Sequence, residues 1–454
     1  MAGITGIQAI VDQSLQAQQT GLNVTANNLA NINTPGYSRQ VVVLAEQAPY
    51  SGSGSGGGVV VQQVQSIRNT VLDMRVNQEV QTQGALTTLQ QQLAPVEAMF
   101  STSGGAGLGT AISGFFSSLQ QLSTNPAGGA QRQAVITAAQ TLSQTFQQVA
   151  GGIAQQQAAA NQAVGQQVAQ ANTLFGQIAK LNGQIANAQD SAQGAGALVD
   201  QRTALLQQLS GIVGFNTSDG GNGQVTLTTP QGGPLVVGAS ASTLGTQTNA
   251  SGMQAVTLNG ADITATLTGG SLGGLIQARD QVLPQWSAQL DQLASGLATA
   301  VNTQNQAGFT PGGTAGGNLF QPPPATGAAA ALALATTNPN AIAASGTGAA
   351  GDNSNLLLME NLQQQNIIAG QTPTAAYAGL VSTIGSVIAG ANTQQQASQT
   401  VLTQLQNQQS AVSGVSLDQE SIHLNQFQSA YQAAARVVTV INNISNLAIN
   451  LGKD

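Results

Sequence analysis

Few residues in this chain could do chemistry, and their spacing argues against it. His423 is the one histidine, and a single imidazole cannot build a histidine-based metal cluster. It precedes apolar Leu424 on a helical stretch, which suits a solvated or interfacial ring better than a catalyst. Lysine occurs only as Lys180 and Lys453, and no Walker A sequence is present. Gly52, Gly54 and Gly57 have the spacing of a phosphate-binding loop. They lead into Val59-Val60-Val61, not into the helix N-terminus that would cradle a phosphate. A flexible loop is expected there. Asp418 and Glu420 stand two apart, on different faces of a helix, whereas glycoside hydrolysis needs two carboxyls opposed across a pocket. The absence of cysteine excludes disulfides, thiolate zinc sites and thiol nucleophiles. No cofactor, metal or small-molecule substrate is expected.

The bulk composition points to a protein that packs and assembles. The chain has 454 residues, enough for roughly two to four domains. Charged residues make up 6%, apolar residues 41% and aromatics 3%. A core of Ala, Leu, Val and Ile suits close helix packing better than a deep ligand pocket. The net charge is −7, and nine Lys and Arg are scattered along the chain. With no basic cluster, a nucleic-acid surface is not expected. The first residues, MAGITGIQAIVDQ, carry no basic n-region and no continuous apolar h-region, so a cleaved secretory signal is not expected. No unbroken run of 18 apolar residues occurs, so no membrane insertion is expected.

The elements follow from periodicity. Ile4, Val11, Leu15, Leu22 and Leu29 recur at steps of seven or four and predict an amphipathic helix over the first 33 residues. Pro35-Gly36 fits the centre of a type II turn. Val41–Leu44 and Val59–Val61 flank a Gly/Ser run and predict a hairpin. From Ile67 to Ile212 the pattern is helical. Its clearest stretch, Leu142–Ile185, predicts a rod-like helix of roughly 65 Å, with Gly151-Gly152 as a site for a kink. Residues 213–271 predict a small β insert, with strands at 224–228, 235–237, 255–258 and 263–267. Helical periodicity returns at 274–304. A Gly/Pro/Ala-rich stretch follows over 307–352, with one or two strands at most. The pattern is helical again from Asn355 to the end. Leu417, Leu424, Phe427, Tyr431, Val438, Ile441, Ile444, Leu447 and Leu451 form one stripe there. Two amphipathic terminal helices can pair as a coiled coil. Their apolar side chains are too few to offset the entropy of ordering both helices, so the ends are expected to fold against neighbouring subunits.

The segment GLNVTANNLANINTPGYSRQ (21–40) resembles the N-terminal signature of the flagellar axial proteins, a family of rod, hook and hook-associated subunits. The matching residues are Gly21, Leu22, Asn27, Asn28, Leu29, Ala30, Asn31, Asn33, Thr34, Gly36 and Tyr37. GVSLDQESIHLNQFQSAYQAAARVVTVINNI (414–444) is similar to the C-terminal signature. Its Phe427–Val437 run is closer to hook-associated members than to hook or rod proteins. Ser38-Arg39-Gln40, the Asp200-Gln201-Arg202 segment and the helix at 269–309 point the same way.

The resemblance implies a mainly α fold with a small β insert and discontinuous, nested domains. Residues 1–36 and 416–454 would form a terminal coiled-coil core. Residues 37–212 and 272–415 would form a helical rod domain with the hairpin at 41–61, and 213–271 the β domain. It implies a non-enzymatic structural subunit that joins hook to filament, outside the cell on the flagellum. The chain would leave the cytoplasm through the flagellar type III channel without a cleaved signal and assemble as a ring of identical copies. Its other partners would be hook protein, a second junction protein and an export chaperone at the C-terminal helix. Leu15, Leu22, Leu29, Leu424, Phe427, Tyr431, Val438 and Ile441 would be intersubunit core, with an intramolecular core as the equal alternative. Asn27, Asn28 and Asn31 would either cap the first helix or bond a neighbouring subunit. Three rival readings are a hook or distal-rod subunit, a secreted adhesin using the β insert, and a glycan hydrolase on a flagellar scaffold.

Overall fold

The computed structural model describes residues 2–34, 36–48, 57–100, 107–190 and 195–451. Helix α1 (Ala2–Ala30) ends in its own asparagines. The Asn31 amide donates to the Asn27 carbonyl at 3.1 Å, and the Thr34 amide to the Asn31 carbonyl at 2.9 Å. Gly36 follows with φ +79°, the left-handed geometry that favours glycine. Pro35, the other half of the expected turn, lies outside the described residues, as do Gly52 and Gly54. Strands β1 (Gln40–Glu46) and β2 (Val59–Ser66) pair antiparallel as expected, with a bulge at Val43/Leu44.

The helical body opens with α2 (Thr70–Phe100), α3 (Leu108–Thr124) and α4 (Gly129–Asp190). At 62 residues, α4 spans about 93 Å, longer than its clearest periodic stretch. It is helical through Gly151-Gly152. A Cβ on Gly152 would fall 2.4 Å from Met99 Cε, so this glycine admits a neighbouring side chain. After α5 (Gly196–Ser210) comes the β insert. One sheet runs β3 (Asn216–Gly221), β4 (Gln224–Thr228), β5 (Pro234–Val237) and β6 (Ser240–Ala241). The other runs β7 (Leu244–Thr248), β8 (Gln254–Leu258) and β9 (Ala261–Asp262). Asn222-Gly223 and Asn259-Gly260 have positive φ at both positions, as tight hairpin turns require. The strand expected at 263–267 does not form. The Asp262 carboxylate accepts from the Thr264 amide at 2.8 Å and hydroxyl at 2.6 Å. That local turn curls Thr264–Thr266 into a 3₁₀ helix.

The chain returns to helix in α6 (Gly270–Gln277), widens into a π turn at Ala278–Val282, and continues as α7 (Leu283–Gln306). Pro284 lacks an amide proton and crowds the preceding turn, which accounts for the widening. The Gly/Pro/Ala-rich stretch packs on the body with a short α-helix, α8 (Ala328–Ala331), a 3₁₀ helix at Pro339–Ala341, and isolated bridges. Two buried asparagines of α7 hold it. Asn302 donates to the Phe320 carbonyl at 2.8 Å and accepts from the Leu319 and Phe320 amides at 2.9 Å. Asn305 donates to the Gly317 and Ala341 carbonyls and accepts from the Ala343 amide. The chain ends in α9 (Ser354–Asn361), α10 (Pro373–Ser413) and α11 (Leu417–Leu451).

Two large cores result, and α4 runs through both. Leu142, Phe146 and Ile153 pack with Phe115, Trp286, Leu290 and Ile384. Val164, Phe175 and Ile178 pack with Leu227, Val236, Val256 and Leu272. A small third cluster, Leu72, Val76, Leu402 and Leu405, closes α2 on α10. Among the described residues one stretch, Pro373–Leu447, spanning α10 and α11, is by length and composition apolar enough to cross a membrane, although no unbroken apolar run occurs. In α10, Tyr377, Leu380, Ile384 and Ile388 are buried in the first core, and Thr374, Ala378, Gly379, Ser382 and Gly385 face outward. The high average there comes from a buried apolar face backed by small residues.

Candidate assembly site

The two chain ends meet along α1 and α11, which lie side by side. The two helices approach closely at Gly21. A Cβ there would fall 2.5–2.7 Å from carbons of the Phe427 ring, so only glycine lets the ring seat against α1. Among the sheltered positions on α11 are Glu420, Leu424, Phe427, Ala434, Val438 and Ile441. Their steps of three, four or seven mark one helical face. Among the described side chains of α11, only Glu420 and Ile441 are fully buried. α1 also rests on the hairpin, where Ile10 and Gln13 approach Gly58.

The expected site residues divide into groups. Asn28 is buried and binds across the junction. Asn27 is exposed and Asn31 half-buried, and they bond each other, Asn31 Nδ2 to Asn27 Oδ1 at 2.7 Å. Their local role within the chain is capping. Leu15, Leu22 and Leu29 are half-buried, as are Leu424, Phe427 and Val438. Ile441 is buried, and Tyr431 is exposed.

A second apolar stripe of α11 faces away from α1. Ile422, Val437, Val440, Ile444 and Leu447 are 44–62% exposed. At 3.6 residues per turn they fall roughly 80–160° around the helix from Phe427, to one side. One amphipathic helix thus carries two apolar faces, of which the chain itself covers one.

Where the terminal helices join the body, side chains build a polar knot. The Gln40 amide donates to Asn28 Oδ1, and Asn28 Nδ2 donates to the Gln40 carbonyl, each at 2.9 Å. Asn28 Nδ2 also reaches Glu420 Oε2 at 3.0 Å, and the Tyr37 hydroxyl donates to Asn28 Oδ1 at 2.8 Å. Arg39 Nε pairs with Glu420 Oε1 at 2.8 Å, with Glu420 only 2% exposed. Arg39 Nη2 lies 3.2 Å from His423 Nε2. That places the sole imidazole in an interface, as its type predicts. The Arg39 amide donates to the Ser413 carbonyl at 2.9 Å, tying the exit of α1 to the end of α10. Alongside, Asp200 pairs with Arg68 and accepts from the Ser38 amide at 3.4 Å. Burial, and then the negative charges of Asp200 and Glu420, push the Tyr37 phenol up to about 12. Burial, and then the neighbouring Arg68 cation, push Arg202 down to about 10, against the pull of Asp219.

Arg39, Glu420 and Asp200 are absent from the expected site, although all three lie in the resembling segments. Their pairing spans 381 positions for Arg39 and Glu420, beyond the reach of any local pattern. The available signal is scarcity: in a chain with 6% charged residues, each charge beside a helix end is informative.

The chain is similar to known proteins. A family model described as the flagellar hook-associated protein FlgK helical domain matches residues 93–320, and one described as a flagella basal body rod protein matches residues 13–37. Flagellar hook-associated protein 1 of Escherichia coli strain K12 is 30% identical, over 96% of this chain and 98% of that protein. The chain belongs to the flagellar hook-associated protein 1 family. The protein of the same name from Bacillus subtilis strain 168 is 28% identical over 96% of each chain. The fold matches that of the flagellar hook junction protein FlgK from Burkholderia pseudomallei with a TM-score of 0.67 and 21% identity, over 75% of this chain and 100% of that one. As a member of the hook-associated protein 1 family, the chain is a structural protein of the hook–filament junction in the bacterial flagellum. This separates it from hook and rod subunits, with which it shares the N-terminal signature.

Proposed function

We propose that this protein assembles as a ring of identical subunits on the flagellar hook and carries the filament, through contacts made by its terminal helices. The carrying observation is the outward stripe of α11, Ile422, Val437, Val440, Ile444 and Leu447. A cluster of exposed large apolar residues at Val437, Val440, Ile444 and Leu447, with Ile422 further up the helix, suits a protein–protein contact, and a neighbouring copy offers matching terminal helices. In the ring α1 and α11 pair as a coiled coil. Leu15, Leu22, Leu29, Leu424, Phe427, Tyr431, Val438 and Ile441 then serve both the pair and its neighbours. The body forms the nested rod domain, and residues 213–271 the small outer β domain. Hook protein lies on one side and a second junction protein on the other. Before assembly an export chaperone covers the C-terminal helix, and the chain leaves through the flagellar type III channel with its N-terminus uncleaved. The role is architectural, with no catalytic step.

Deletion of the gene, with complementation by a chain lacking residues 417–454, tests this reading. Null cells are expected to make hooks, release flagellin into the medium and carry no filaments, and the truncated chain is expected not to rescue them. Normal filaments in the null would overturn the junction role. Loss of hooks as well would point to a rod or hook subunit.

A further inference from the structure

Residues 38–39 are held from two sides by acids of distant origin. Glu420, at the start of α11, takes Arg39 at 2.8 Å and the Asn28 carboxamide at 3.0 Å. Asp200, on α5, takes the Ser38 amide and Arg68. The backbone crosses between the terminal helices and the body only twice, at 31–39 and at 414–416. The Arg39 amide bonds Ser413 at the second crossing. Both crossings therefore pass through one knot. On the same short helix α5, Arg202 points the other way. It donates to Asn182 Oδ1 on α4 at 2.9 Å and to the Gly223 carbonyl in the β3–β4 turn at 2.7 Å. The Asp200-Gln201-Arg202 segment thus has one charge on the terminal knot and one on the β insert.

We infer that Asp200 and Glu420 form a mechanical latch that clamps Ser38 and Arg39, fixing the terminal helix pair on the body and passing load between them through side chains. Beyond the packing of α1 on the hairpin, two single-strand crossings would leave the pair free to swivel. A buried carboxylate with directed partners has one geometry, and removing a partner leaves an unpaired charge. Directed bonds from two sides remove the swivel. α5 extends the brace to α4 and the insert. The inference rests on the junction role, because load arises only if filaments are carried.

The test uses full-length chains restored to null cells: wild type, Arg39→Ala, Glu420→Ala, both together, and Asp200→Ala. Filaments per cell are counted in dilute medium and after swimming in viscous medium, and purified proteins are melted. Each variant is expected to carry filaments at rest and to shed most of them under a load that wild type withstands, with a melting midpoint at or below that of wild type. The Arg39/Glu420 double variant is expected to be no worse than the worse single variant, as partners in one contact are non-additive. Filament retention equal to wild type under load overturns the latch. So does a lowered midpoint with filaments lost at every load alike, the mark of residues that merely hold the fold. If Glu420→Ala carries none at rest while its midpoint is unchanged, Glu420→Gln and Arg39→Lys are read at the same loads, and retention equal to wild type in both also overturns it. Normal filaments in the null itself would sink the junction role instead, which keeps the two failures apart.

Discussion

At the scale of single residues, the junction is decided by a few polar side chains in a chain that has almost none to spare. Asn28 makes four bonds, to both backbone groups of Gln40, to Tyr37 and to Glu420. Tyr37 lies beside two acids, and its proton is held up to about 12 by burial and by Asp200 and Glu420. The folded phenol therefore keeps its proton where the unfolded one, titrating near 10, has lost it. Its contribution to stability is complete below pH 10 and disappears as the pH rises from about 10 to about 12. The expected outcome is loosening of the knot across that alkaline window, followed by fluorescence of a probe at exposed Asn23. Tyr37→Phe should lose about 1 kcal/mol with its hydrogen bond and flatten the response between those two pH values. A response of equal size in Tyr37→Phe would assign the transition to another group. The resemblance pointed to Asn27, Asn28 and Asn31 alike. Only the fold distinguishes them, because one turn of helix puts Asn28 inward while Asn27 and Asn31 bond each other.

At the scale of elements, what the sequence disclosed depended on how local the cause was. The stripe of α4, the hairpin, three strands of the insert and the terminal helices follow from periodicities of 3.6 and 2. The strand expected at 263–267 failed because Asp262, two residues before Thr264, offers the backbone a competing turn. The sequence did not disclose the order in 307–352, whose cause lies on another element. Asn302 supplies bonds to Leu319 and Phe320 that the loop cannot make for itself. Removing that carboxamide leaves two amides and a carbonyl buried without partners. Asn302→Ala is expected to cost about 3 kcal/mol or more at roughly 1 kcal/mol per bond plus desolvation. The readouts are a lowered melting midpoint and protease cleavage within 307–352. Wild-type resistance in that stretch would mean that Phe320 and its apolar neighbours hold the loop unaided.

At the scale of the whole molecule, burial is distributed unequally along the chain. Every member of the three apolar cores lies between Leu72 and Ala391 or at Leu402 and Leu405. The terminal helices add only Val11, Ala17 and Ile441 to the fully buried apolar residues described. The body therefore contains what it needs to fold, while the ends hold most of their apolar surface at half burial or in the open. A fragment of residues 68–413 keeps all three cores and the Arg68–Asp200 pair, and gives up the β1–β2 hairpin, the knot and the terminal pair. It is expected to melt cooperatively, with the same midpoint as the full chain, because it loses almost no buried apolar area. A fragment that is unfolded, or that melts well below the full chain, would show that the ends stabilise the body and are not clients of it. If the midpoints agree, the division of labour is physical. The body's stability is settled within one subunit, while the stability of the terminal pair waits on what covers Ile422, Val437, Val440, Ile444 and Leu447. The free energy that attaches the subunit to its neighbours is then gained only upon assembly, at the surface the isolated chain leaves open.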